Sequence, residues 1–403
     1  MRIIHVVPFY LPATRYGGPV SVVEGLCKAL ARRGHEVSVF TTNMDGAGES
    51  SVPLETPVER DGVTLHYYRV AKLRRVVWVP RLLLGLAREL DASSVLHLHS
   101  VFTFPTTAVA RLARLRRVPY VVSPHGALVA RFMRQKSQLA KSLWLRLFDR
   151  RTLAQASRVH LTSENEQREL AALGLRIPDV IMAPNGAGAR RELDELAGLG
   201  NPQALPEGPR RLGSEAPYGV FLGRISWVKG LDRLVRALAH TQARVLIIGH
   251  DDEGLRPELE RSAAQLGVST RLEFLGPLTG SAKWQLLRAA RFLILPSYSE
   301  NFGNVVAEAM ALGCPVIVTP EVGAADVVRR ANAGIVAEGT PTALGAAMDR
   351  LWFMEEERLQ LGGAGARYAR EHLTWDAIAN VFEATYEQLL RERELVAGRS
   401  WAT

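Results

Sequence analysis

The 403-residue chain has little cysteine, only Cys27 and Cys314. They lie far apart, and neither has a metal-type neighbour two to four residues away. That excludes a disulfide framework and suits a reducing compartment. Long apolar runs are missing too. The most apolar stretch near the N-terminus, VVWVPRLLLGLA at 76–87, is broken by Pro80 and Arg81 and falls short of a membrane span. The opening MRIIHVVPFY is too short and too Pro-interrupted for a signal peptide and reads as a first strand. No G-x-G-x-x-G follows it, and no acidic residue closes the second strand, HEVSVFTT, so a nicotinamide site is unsupported. Acidic residues are scarce in the first half only. Residues 1–200 carry 28 Lys/Arg and 17 Asp/Glu, whereas 201–403 carry 22 and 24. The net +9 therefore sits in the first half. A basic half can meet nucleic acid, an anionic membrane or a phosphorylated substrate. No nucleic-acid-binding module is recognisable.

What the chain does have is alternation. RIIHVVPF, HEVSVFTT, VTLHYYRV, VLHLHS, PYVVSPHG, RVHLTS and VIMAPNG read as strands, with helix-length segments such as 105–117 and 132–156 among them. Near-continuous apolar strands separated by helices predict a mostly parallel α/β sheet covered on both faces. GLGNPQALPEGPRRLGSEAP, 198–217, is rich in Gly and Pro and reads as a linker. The alternation then restarts with YGVFLG, ARVLIIG, RLEFLG, RFLILPS and PVIVTP. The expectation is two doubly wound domains, 1–197 and 218–374, with ligands bound in the cleft between them. The last stretch, 375–394, has a helical period with Trp375, Ile378, Val381, Phe382, Tyr386 and Leu389 on its apolar side.

Chemistry concentrates in LPSYSENFGNVVAEAMALGCPVIVT, 295–319. A buried strand ends at Pro296-Ser297, and Gly303-Asn304 opens a helix. The amides at 303–306, Val305 among them, would then point outward at the positive end of a helix dipole, a site for a phosphate. Glu300 precedes the helix. Glu308 lies four residues after Asn304 and shares its face. One carboxylate on each side of a diphosphate could accept hydrogen bonds from paired sugar hydroxyls. The same string also fits a capped helix with Glu308 simply exposed.

The context SENFGNVVAEAMALG resembles the donor-site signature of family-4 retaining glycosyltransferases with the GT-B fold. YLPATRYGGPVSVVEGLCKALARRGHEVSVFTT, SPHGAL, TSENEQREL, APNG, FLGRISWVKGLDRLVRA and TWDAIANVFEATYE match that family in order along nearly the whole chain. The resemblance implies two Rossmann-like domains facing across a cleft, with the C-terminal helix packing back toward the first. It implies that Glu300 contacts the transferred sugar, that Glu308 binds the ribose, and that Arg224 and Lys229 neutralise the diphosphate. His125, in SPHGA, would sit beside the donor sugar. Gly17 and Gly18 would let the backbone approach a phosphate or sugar closely; a plain tight turn is the alternative. The loop around Gly276–Leu278 would help select the base. The donor would be a nucleoside diphosphate sugar, UDP- or GDP-linked, with no further cofactor and no metal.

His97 and His99 share a strand face. A metal pair is conceivable there, but no third ligand is evident, and a core or cleft-lining role is expected. His250-Asp251-Asp252-Glu253 matches a loop of the family, so no metal is expected there. Arg131, Arg134, Lys136, Lys141, Arg146, Arg150 and Arg151 fall within 21 residues, interleaved with Phe132, Leu139, Leu143, Trp144, Leu147 and Phe148. This reads as basic amphipathic helix, suited to an anionic membrane surface, or as a solvated basic face. Arg74, Arg75, Trp78, Arg111, Arg114, Arg116 and Arg117 add to it. The acceptor is then expected to be a glycan or a lipid-linked, anionic molecule, with the enzyme cytoplasmic or on the inner face of a membrane. A sugar-nucleotide epimerase or hydrolase of similar fold, and a non-catalytic sugar-nucleotide binder, remain the alternatives.

Overall fold

The computed structural model describes residues 1–13, 16–71, 73–128, 138–187, 216–278 and 280–399. The chain divides into two compact units. The first comprises Met1–Pro184 with Trp375–Thr403, the second Asn185–Thr374. Arg131, Phe132, Arg134 and Lys136, and 198–215 of the Gly/Pro-rich stretch, lie outside the described residues. Among the described residues no helix is long and apolar enough to cross a membrane.

In chain order the strands of the first unit are β1 (Arg2–Val6), β2 (Glu36–Thr42), the hairpin β3 (Met44–Asp45) and β4 (Gly48–Glu49), β5 (Val58–Arg60), β6 (Val63–Tyr68), β7 (Ser94–His99), β8 (Tyr120–Ser123), β9 (Arg158–Leu161) and β10 (Val180–Met182). Apart from the hairpin they form one sheet, ordered β10-β9-β8-β7-β1-β2-β6-β5. All pairs are parallel except β5 with β6. Every residue of β7 is buried, as a strand covered on both faces requires. The helix Gly18–Arg32 begins with Pro in its first turn and turns Val20, Val23, Leu26, Cys27 and Leu30 into the core. The C-terminal helix Trp375–Arg399 packs on it. Gly25 permits the approach, since a Cβ there would lie 2.2 Å from the Trp375 ring. Trp375, Ile378, Phe382, Tyr386 and Leu389 are buried, each contributing about 1.5–3 kcal/mol. Val381, grouped with them by sequence, is exposed, because it sits about 100° round the helix from Phe382.

Among the described residues the second unit carries six parallel strands: β11 (Gly219–Leu222), β12 (Val245–Ile248), β13 (Leu272–Gly276), β14 (Leu293–Leu295), β15 (Val316–Val318) and β16 (Gly334–Val336). Their order is β13-β12-β11-β14-β15-β16. The winding direction reverses between β11 and β14, and in the first unit between β1 and β7. In open parallel sheets, ligands bind beyond the carboxyl ends of the strands at such reversals.

Candidate functional site

In the second unit the loops leaving β11 and β14 emerge side by side. The first carries Arg224 and a 3-10 turn, Trp227–Lys229. Lys229 therefore closes that turn, and Gly230 follows in the left-handed region at φ 66°. A Cβ on Gly230 would meet the Pro296 carbonyl oxygen at 2.1 Å, so only glycine lets the two loops touch. Tyr298 N donates to Val228 O at 2.8 Å, and the Arg233 guanidinium stacks 3.8 Å over the Tyr298 ring. These contacts fix where Glu300 stands.

The signature carboxylates are both paired. Glu300 forms an ion pair with Lys229, and both side chains are largely buried. The Glu300 backbone is held as well: its amide donates to Glu321 O and its carbonyl accepts from Gly323 N. Glu308 pairs with Lys283 Nζ at 2.7 Å, and that ammonium lies 4.0 Å over the Trp284 ring. Lys283 belongs to the helix Gly280–Ala289 and was not singled out by sequence. The helix Asn304–Ala311 carries Glu308, and its start lies between the two carboxylates in sequence. Its cap is Gly303, with φ 90°, and its first turn holds no acidic residue. Asn304 is the first helical residue and accepts from Asn185 Nδ2 at 2.8 Å. The Val306 amide finds Gly303 O; the amides of Asn304 and Val305 precede any intrahelical acceptor. A helix start flanked by Lys229, Lys283 and two carboxylates can hold an anionic group together with hydroxyls.

The remaining predicted residues of this unit sit differently. Arg224 lies two residues past β11, largely exposed, 3.5 Å from Asp252. Gly276 ends β13 with φ 75°, its carbonyl accepting from Gly249 N, and Leu278 packs on the core. Both are separated from β11 by β12. The acidic loop after β12 is committed to structure. Asp251 accepts from the amides of Leu255 and Arg256, and Glu253 from that of Trp227.

In the first unit the reversal point opens a cavity of about 160 Å³, lined by Val7, Phe9, Tyr16, Val20, Ser100 and His125 among others. Phe9 and Tyr16 stack at 3.9 Å. Gly17, at φ 69°, caps the helix Gly18–Arg32 beside them, and a Cβ on it would meet nothing within 4 Å. Its conformation, not crowding, calls for glycine there. His125 follows β8 in the left-handed region at φ 52°. The next amide, Gly126 N, donates to the buried Glu166 carboxylate at 2.9 Å, which also accepts from Thr162 N and Oγ1. Burial pushes the Glu166 carboxyl up against those hydrogen bonds.

Five histidines, His125 among them, converge at this strand end. His160 Nε2 lies 2.9 Å from Ala183 O, which can only accept. His160 therefore carries its proton on Nε2 and accepts at Nδ1 from Ser123 Oγ, 2.7 Å away. Ser123 in turn accepts from His97 Nε2 at 2.6 Å, and His97 Nδ1 accepts from the Tyr386 hydroxyl at 2.7 Å. One carbonyl thus sets the direction of the whole chain. The sequence showed no third partner for His97 and His99. The structure corrects this: His5, on neighbouring β1, brings its ring nitrogen within 4.8 Å of theirs. Of the six ring nitrogens in this trio only His5 Nε2 lacks a partner. The trio is a hydrogen-bonded core, which a sequence shows only as single histidines in apolar strands. Burial depresses all five rings, to about 3 for His5 and His125, about 4 for His160, and well below the ordinary value for His97 and His99.

Two family models match the chain. "Glycosyl transferase 4-like domain" covers residues 17–186, and "Glycosyl transferases group 1" covers 209–368. An uncharacterised glycosyltransferase of Methanocaldococcus jannaschii is 25% identical over 96% of this chain and 100% of its own length. A D-inositol 3-phosphate glycosyltransferase of Nocardia farcinica is 29% identical over 96% of this chain and 89% of its own. Among solved structures, sucrose-phosphate synthase from Thermosynechococcus elongatus superimposes with a TM-score of 0.74 at 21% identity, covering 97% of this chain and 99% of that one. Anabaena HepE, in complex with UDP and glucose, gives 0.69 at 20% identity, covering 96% and 100%. The fold shared with these neighbours is GT-B.

Proposed function

This chain belongs to the group-1, family-4-like glycosyltransferases, and we propose that it moves a glycosyl group from a UDP- or GDP-sugar to a hydroxyl of a glycan or lipid-linked acceptor, with retained anomeric configuration and without a metal ion. The observation that carries this reading is the pairing of both signature carboxylates, Lys229–Glu300 and Lys283–Glu308, on either side of the helix start at Gly303–Val305. The helix amides, Lys229 and the exposed Arg224 neutralise the departing diphosphate. Glu308, oriented by Lys283, accepts from the ribose hydroxyls, and Glu300 from those of the sugar. A UDP-sugar is the first donor to try, since HepE was solved with UDP and with UDP-glucose. The Gly276–Leu278 turn is assigned to the base. His125 presents its ring to a substrate hydroxyl at the first unit's cavity, beside the Gly17-Gly18 turn.

No protein nucleophile is assigned; the leaving phosphate takes the acceptor proton in a same-face substitution. The basic first unit suits an anionic acceptor, as do the relatives named for D-inositol 3-phosphate. The test is product analysis with sugar nucleotides, an acceptor panel and a chelator. The expected product carries the donor's anomeric configuration at a rate unchanged by chelation. Inversion, loss of activity on chelation, or hydrolysis or epimerisation without acceptor would overturn the proposal.

A further inference from the structure

Three imidazoles run from the core of the first unit to the cavity wall. His5 Nδ1 lies 2.9 Å from His99 Nε2, and His99 Nδ1 lies 2.9 Å from His125 Nε2. Successive rings are nearly parallel, at 16° and 14°. His5 and His99 are buried, and His99 and His125 both line the cavity, His125 as the end of the chain. Burial keeps all three neutral. A neutral imidazole has one N–H and one lone pair. His99 must then donate one of its bonds and accept the other, so both bonds point the same way along the chain.

Two directions are available. Run inward from His125, the chain would end on an N–H at His5 Nε2, a buried atom with no partner. Orphaned buried N–H groups are rarer in folded proteins than buried acceptors left short of a partner. Run outward, His5 Nε2 keeps only a lone pair, and the terminal N–H falls on His125 Nδ1. His97 cannot intervene, because Tyr386 and Ser123 already occupy both its nitrogens. We infer that His5 and His99 are positioning residues that hold His125 in its Nδ1–H tautomer, so that it meets substrate oxygen as a hydrogen-bond donor. This rests on the assignment of His125 to substrate and gives that contact a direction. The left-handed backbone at His125, tied by Gly126 N to Glu166, holds the ring at the chain's end.

Long-range ¹H–¹⁵N spectra of the full chain, labelled at the histidine ring nitrogens, read the tautomers without turnover. The expected result is protonated Nδ1 and bare Nε2 at His5, His99 and His125. A proton on His125 Nε2 would overturn the inference. Kinetics supply the second reading. His5→Leu is expected to lower kcat about tenfold, the rate equivalent of one hydrogen bond, with donor KM little changed. His5→Asn, whose amide nitrogen stands where Nδ1–H stood, is expected to restore most of the loss. Equal loss in both variants would make His5 a packing residue and sink the proposal. Should either variant fold poorly, the spectra of the unaltered chain still decide. Because those spectra need no substrate, a failed tautomer assignment and a failed transfer reaction are told apart.

Discussion

Glu308 and His125 are both polar groups near a strand or helix end, yet they are assigned different work. Glu308 stands one turn inside a helix and is held by Lys283, a place for steady contact with a ribose. His125 is held by a strained backbone and a hydrogen-bonded neighbour, a place for a contact that must be aimed. Glu308→Ala should therefore raise donor KM by about tenfold or more with a smaller change in kcat. His125→Ala should lower kcat by about a hundredfold and leave donor KM within a few fold. Steady-state kinetics on both variants check this, and wild-type behaviour in both would remove the assignments. Glu300, Glu308, Arg224 and Lys229 could be singled out because each lies in a contiguous string of the family signature. Lys283 and His5 could not. Their partners are chosen by how a separate helix or strand packs, and nothing in their own neighbourhood announces it.

At the scale of elements, the segment 138–154 turns two faces. Leu145 and Leu153 are buried, while Leu139, Leu143, Leu147 and Phe148 are exposed among Arg146, Arg150 and Arg151. Its middle, Leu145–Asp149, is a π-helix, and the buried Asp149 accepts from Phe102 N at 2.8 Å. That bond anchors the inner face while the apolar outer side stays open. We propose that this exposed mixture of leucine, phenylalanine and arginine meets an anionic lipid surface; a solvated basic face is the alternative. Sedimentation with vesicles should show binding that rises with anionic lipid content and weakens with salt; no binding at any vesicle charge would remove this role. The basic, amphipathic character was readable from composition and spacing. The five-residue π stretch was not, because it arises from packing. Short strands escaped in the same way: Val58–Arg60 and Gly334–Val336 are three residues each, too brief for a period to show.

At the scale of the molecule, the two units differ in what their cores contain. The first holds His5, His97, His99 and His160 buried and His125 half-buried, all as neutral rings below the ordinary value of 6.5. Unfolding lets each take a proton. Their contribution is intact above pH 6.5 and is lost as pH falls toward 3, at up to about 1.4 kcal/mol per pH unit per ring. Asp149, pushed up to about 6 by burial, and Glu166, also raised, act in the opposite sense but are outnumbered. Circular dichroism with pH should show the first unit unfolding in mild acid; a stability flat between pH 6.5 and 4 would contradict this. The alternation of strands and helices made both sheets legible, because parallel strands must be apolar throughout. The second unit is where the account is most exposed. A thermal-shift screen against UDP-, GDP-, ADP- and dTDP-sugars, run on the unaltered chain and on Glu308→Ala, tests it most directly. The account predicts that one UDP- or GDP-sugar raises Tm in the unaltered chain and that the rise is largely lost in the variant. No stabilisation by any sugar nucleotide, or an equal shift in both proteins, would contradict it.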